Sequence, residues 1–141
     1  MEKLACVLLV DDNATSNFLN ELALTKWGVA EQLLIAENGA DALALLARTY
    51  AAADAASPAL ILLDVNMPVM SGAQFLEAYQ QLPAARQRAS VIVLLTTTVY
   101  AGELARLRQL PVAGLVSKPL TRDKVEGILQ QHFQRQLPPL P

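Results

Sequence analysis

Residues Ala5–Asp12 read ACVLLVDD: six apolar residues without a polar interruption, then two adjacent aspartates. A strand with one face in water alternates apolar and polar positions, whereas an unbroken apolar run of this length is buried on both faces, as in a parallel sheet covered by helices. Shorter runs of the same kind recur at Leu33–Ala36 (LLIA), Leu60–Leu63 (LILL), Val91–Leu95 (VIVLL) and Gly114–Val116 (GLV). Amphipathic stretches near Thr15–Trp27, Ala40–Ala47, Ala73–Gln81 and Gly102–Gln109 separate them, and a fifth, Arg122–Gln136, follows the last run. The pattern is a strand followed by a helix, five times. Right-handed crossovers then place helices on both sides of the sheet, which gives an open doubly wound α/β fold; the arrangement expected for five such units is the flavodoxin-like strand order 2-1-3-4-5.

Composition agrees with one compact domain over 1–141, its core expected at about 4–133. Hydrophobic residues make up 53% of the 141 positions, with 26 Leu and 23 Ala against 5% aromatics, so the core is aliphatic. A chain of this size buries roughly 68–70% of its unfolded surface and needs neither disulfide nor structural metal to fold. With 13 acidic and 11 basic side chains the net charge is -2, which provides no basic field for a phosphate backbone and disfavours nucleic-acid binding. The single Cys6 has no disulfide partner and reads as a small buried hydrophobe. The apolar stretch before the paired aspartates is too short for a signal peptide, and no run approaches the ~18 residues of a membrane span, so the expected compartment is the cytoplasm. Two segments read as irregular: Thr49–Pro58, whose alanines are compatible with an extended second helix, and the tail Gln136–Pro141, where Pro138 forbids a helix and fraying is expected.

The chemistry gathers at strand ends. Of six Asp in the chain, Asp11, Asp12 and Asp64 directly follow the first and third apolar runs. In an open α/β sheet the ligand crevice lies outside the carboxyl ends of the strands at the switch point, here between strands one and three. The three carboxylates therefore converge. Their mutual repulsion is relieved by a hard divalent cation with oxygen ligands, Mg2+ being the usual one. Thr96 and Lys118 end the fourth and fifth strands on the same edge, so a hydroxyl and an ammonium face the acids. A cation beside a carboxylate and a metal site suits phosphoryl oxygens, and the carboxylate itself is a competent acceptor.

The ordered set Asp11-Asp12, Asp64, Thr96 and Lys118-Pro119, with Asn66-Met67-Pro68 and Gly72 after the third strand, resembles the receiver domain of two-component response regulators. The spacings from Asp12 to Asp64, Asp64 to Thr96 and Thr96 to Lys118 are 52, 32 and 22 residues. The resemblance runs from Leu4 to about Phe133. It implies Asp64 as phospho-acceptor, and Asp11 and Asp12 with the backbone carbonyl of Asn66 as Mg2+ ligands beside it. It also implies Thr96 as the switch hydroxyl, Lys118 as the lysine that pairs with the phosphoryl group, and a cis bond before Pro119. The partners implied are a histidine kinase or histidine phosphotransfer protein upstream and a protein target downstream. The target would read the surface of the fourth helix, fifth strand and fifth helix. Such a protein is a switch that phosphorylates and dephosphorylates itself, not an enzyme with an external substrate. Because no effector segment follows the fifth helix, the expectation is a single-domain regulator of the chemotaxis type or a stand-alone relay module.

Two departures from the family pattern stand out. Leu115 occupies the place of the usual aromatic rotor, and Thr97 stands where Ala or Gly is common; the expectation is either weaker coupling or coupling through the loop after the fourth strand, where Tyr100 supplies an aromatic surface, the second being favoured. Simpler readings exist for single residues. Asp11 suits an N-cap, Asp12 suits the dipole of the first helix, and His132 suits a solvated helix end. Asp64 has no such alternative, since a buried unpaired carboxylate is costly. The rival functions are a pseudo-receiver that binds a partner without phosphorylation, and an aspartyl-nucleophile phosphohydrolase. The first usually lacks one of the acids, the Thr or the Lys, and none is missing here. The second calls for DxDx[TV] after strand one, whereas Asp11 and Asp12 are adjacent.

Overall fold

A computed structural model describes residues 3–51, 59–64, 72–81, 90–96, 112–134 and 137. Five strands, β1 (Leu4–Val10), β2 (Ala30–Ala36), β3 (Leu60–Asp64), β4 (Val91–Thr96) and β5 (Gly114–Ser117), form one sheet in the order β2-β1-β3-β4-β5, every pair parallel. The described helices are α1 (Ala14–Trp27), α2 (Gly39–Ala51), α3 (Gly72–Tyr79) and α4 (Arg122–Phe133), the last corresponding to the fifth amphipathic stretch of the sequence. The stretch Gly102–Gln109 lies outside the described residues.

Alternate residues of the central strands feed two separate cores. Leu8 and Val10, Ile61 and Leu63, and Ile92 and Leu94 pack with Ala42 and Leu46 of α2 and Phe75, Leu76 and Tyr79 of α3. Val7 and Leu9, Leu60 and Leu62, and Val93 and Leu95 turn the other way, onto Leu24 of α1 and Val125, Ile128 and Leu129 of α4. Both sets are buried, which is why these strands show no polar alternation. Each fully buried aliphatic contributes roughly 1.5–3 kcal/mol relative to exposure. The registers Val10↔Leu63 and Asp64↔Leu95 align the carboxyl ends of β1, β3 and β4 along one edge.

Several boundaries differ from the sequence reading, for local reasons. α1 is capped by Asn13, not Asp11: the Asn13 side chain accepts the Ser16 N–H at 2.9 Å. It stops at Gly28, whose left-handed φ of 70° suits glycine and lets its N–H bond back to Leu24 and Thr25. β2 starts three residues earlier than its apolar run, at Ala30, because pairing with β1 recruits Glu31 and Gln32. α2 runs on to Ala51, so the alanines after Thr49 do extend it, while 52–58 lie outside the described residues. Leu137 corrects the expected fraying of the tail at that point, since it is buried in the α1/α4 core. α1 is also less amphipathic than its pattern suggests. Its inward line is Asn17 and Leu24, two turns apart, and Phe18, Leu19 and Leu22 are each more than half exposed. No described helix is long and apolar enough to cross a membrane.

Candidate functional site

Asp11 leaves β1 directly after Val10 and is held on four sides. Its N–H donates to the Ala36 carbonyl at 3.1 Å and its own carbonyl accepts the Asn17 amide at 2.8 Å. Its carboxylate accepts the Asn13 N–H at 2.9 Å through Oδ1, and Lys118 Nζ at 2.8 Å through Oδ2. The last residue of β3 is Asp64, only 6% exposed. Asp12, one residue beyond Asp11, is exposed. One carboxylate oxygen from each of the three lies within 4.8 Å of the others.

Lys118 enters from beyond β5 and sits between two of these acids. Its ammonium is 2.8 Å from Asp11 Oδ2 and 3.5 Å from Asp64 Oδ1, so it hydrogen-bonds the first and makes a looser ion pair with the second. Burial alone pulls its pKa down, but the hydrogen bond to Asp11 and the charges of Asp64 and Asp11 outweigh burial and leave it above the usual lysine value. The lysine is therefore a fixed cation at neutral pH. The Lys118–Pro119 bond is cis, as the resemblance implied.

Among the described residues, three carboxylates meet one ammonium, which leaves an excess of negative charge at the mouth of the sheet. The donor set is all oxygen, its atoms are close enough to share one ion, and exposed Asp12 gives access from solvent, so the residues present fit a hard divalent cation such as Mg2+. Asp64, the last residue of β3, belongs to this cluster and faces the Lys118 ammonium at 3.5 Å; a carboxylate in such a place is chemically able to act as a nucleophile. Cys6 offers no competing nucleophile: it is buried in β1, and burial pushes its thiol pKa up.

Of the site residues expected from the sequence, Asp11, Asp12, Asp64 and Lys118 meet in one place. Thr96 ends β4 opposite Ser117 of β5, on the same edge, and its side chain is outside the description. Asn66, Thr97 and Tyr100 lie outside the described residues. Leu115 is 43% exposed on β5, where the usual aromatic would stand. Sequence reasoning missed Asn13 and Asn17, which fix the Asp11 backbone and carboxylate. The signal for Asn17 was a polar residue on the inward line of an otherwise apolar-facing helix.

The sequence profile of the response regulator receiver domain matches residues 7–130. A probable chemotaxis protein CheY from Rhizobium etli is 30% identical over 127 residues, covering 90% of this chain and 91% of that protein. A Burkholderia thailandensis protein-glutamate methylesterase/protein-glutamine glutaminase is 31% identical over 125 residues, but the match takes up only 31% of its length. Among solved structures, a two-component response regulator from Cytophaga hutchinsonii superposes with a TM-score of 0.84 at 27% identity, over 95% of this chain and all of that one. The phosphorylated cyanobacterial phytochrome response regulator RcpA gives a TM-score of 0.74 at 26% identity, over 96% of this chain and 99% of that one.

Proposed function

This chain belongs to the response regulator receiver domain family, and we propose that it is a switch operated by phosphorylation of Asp64. The observation that carries this reading is the meeting of Asp11, Asp12 and Asp64 within 4.8 Å, with Lys118 between Asp11 and Asp64. The donor is a phosphohistidine on a histidine kinase or a histidine phosphotransfer protein. An Asp64 carboxylate oxygen attacks phosphorus, the new O–P bond forms as the P–N bond breaks, and the electron pair leaves with the imidazole nitrogen. Asp11, Asp12 and Asp64, with the Asn66 carbonyl carried over from the family, are the residues that would hold Mg2+. When bound there, the ion supplies the charge that neutralises and aligns the phosphoryl oxygens.

Lys118 changes partner in this scheme. At 2.8 Å it is committed to Asp11, and at 3.5 Å from Asp64 it stands within a short side-chain movement of a phosphoryl oxygen on that residue. Thr96, at the adjacent strand end, supplies the hydroxyl that closes from the other side. Their displacement is passed to the surface of β5 and α4, where a protein target in the cytoplasm reads it. The phosphoryl group is removed by hydrolysis at the same residue, so catalysis is confined to the protein's own modification.

The test is intact mass after incubation with a small-molecule phosphodonor and Mg2+. The expected result is one added phosphoryl group on wild type, none on Asp64→Asn, and none in excess chelator. Wild-type labelling of Asp64→Asn, or full labelling with chelator present, overturns the reading.

A further inference from the structure

The first turn of α4 holds a cation where helices disfavour one. Lys124 is the third residue after the cap Thr121, and its own N–H donates to Thr121 Oγ1 at 3.3 Å. Unsatisfied N–H groups and the helix dipole make this end electropositive, so acids are favoured there and lysine is not. None of the hydrogen-bond partners of Lys124 is a carboxylate. Its ammonium instead donates to the Ser117 carbonyl at 2.8 Å, the Pro119 carbonyl at 3.0 Å and Ser117 Oγ at 3.2 Å. A lysine has three N–H donors, and all three go to the residues on either side of Lys118.

We infer that Lys124 is a positioning residue: it straps the loop carrying Lys118 to the first turn of α4 and carries that loop's displacement into the helix. This rests on the proposed role of Lys118 and goes beyond it, because Lys124 touches neither the acids nor a phosphoryl group. The connection from β5 to α4 is only four residues, 118–121, so the loop has two anchors in the chain itself, and Lys124 adds a third across it. With the backbone at Ser117 and Pro119 tied to α4, a Lys118 that moves from Asp11 toward Asp64 pulls on the helix rather than on slack chain. Without the ammonium, those two carbonyls turn to water and the loop is free to absorb the movement.

The experiment is amide NMR of the full chain with Mg2+ alone and with Mg2+ and beryllofluoride, a phosphoryl mimic that binds at Asp64. Wild type, Lys124→Met, Lys124→Arg and Thr121→Ala are compared. Lys124→Met keeps the apolar stem and removes the donors, Lys124→Arg keeps charge and donors, and Thr121→Ala weakens the same helix end without touching the strap. The expected result is the same response at residues 8–12 and 62–64 in all four proteins. The response over 122–133 should fall severalfold in Lys124→Met, be largely restored in Lys124→Arg and persist in Thr121→Ala. An undiminished α4 response in Lys124→Met overturns the inference while leaving the switch intact. An equal loss in Thr121→Ala also overturns it, by reducing Lys124 to helix stability. No response at residues 8–12 and 62–64 in wild type refutes the phospho-acceptor reading itself, and the inference with it.

Discussion

β3 contains two opposite regimes within five residues. Leu60–Leu63 are each 1% exposed or less and are gripped by helices on both faces of the sheet. Asp64, the next residue, is nearly as buried but sits beside two other carboxylates, with the Lys118 ammonium 3.5 Å away. The apolar residues gain from every neighbour, whereas the acid is held in place by a structure that its own charge opposes. Stability is made in the middle of the strands and is given up at their carboxyl ends, where chemistry needs charge to be concentrated.

The largest effect expected from this contrast is in the strand interior. Leu62→Ala removes a buried side chain from between β3 and the α1/α4 layer and should cost about 2–5 kcal/mol in urea unfolding. At the strand end the sign should reverse: Mg2+ should stabilise the protein by mass action, by about 2.7 kcal/mol at a hundredfold excess over Kd. In the absence of metal, Asp12→Ala should melt no lower than wild type, because it removes one of three crowded charges. A clear loss of Tm in metal-free Asp12→Ala would break the comparison, since the pocket would then be self-supporting.

A smaller effect is expected at Lys118, the only cation bonded to Asp11 among the described residues. Lys118→Met should lower stability at neutral pH by on the order of 1–3 kcal/mol, by leaving buried Asp11 without its ammonium partner. Because the pKa of Lys118 is raised above 10.5, its stabilising contribution is complete below that value and is lost as pH rises through the folded-state value. The stability gap between wild type and Lys118→Met should therefore be flat through the neutral range and close only in strong alkali. The smallest effect is expected at Asn17, whose amide holds the Asp11 carbonyl at 2.8 Å while its own Oδ1 is buried without a partner. Asn17→Ala should cost about 1 kcal/mol, since one hydrogen bond is lost and one unsatisfied acceptor is removed with it.

The unbroken runs of β1, β3 and β4 were legible because burial on both faces leaves no place for polar residues; the strand order was an expectation from the five-stranded doubly wound arrangement, since crossover handedness alone allows other orders. Edge strand β2 was read short because Glu31 and Gln32 are polar yet lie in the strand, with Ala30 and Gln32 paired to Leu4 and Cys6 of β1. In the site, Asp11, Asp12, Asp64 and Lys118 were legible from their place at strand ends, since topology alone brings those ends together. Asn13 was not, because Asp11, Asp12 and Asn13 are all good caps and only backbone geometry decides between them. Lys124 was hidden for another reason: it looks like any solvated helix lysine until the three carbonyl and hydroxyl partners are seen.

The most direct test of the central claim is to locate the acyl phosphate. Phosphorylation by a small-molecule donor with Mg2+, followed by borohydride reduction and peptide mapping, converts the modified aspartate to homoserine and identifies its position. The account predicts conversion at Asp64 alone, with Asp11 and Asp12 unmodified. Conversion at Asp11 or Asp12, or labelling that survives at another residue after Asp64→Asn, would contradict it.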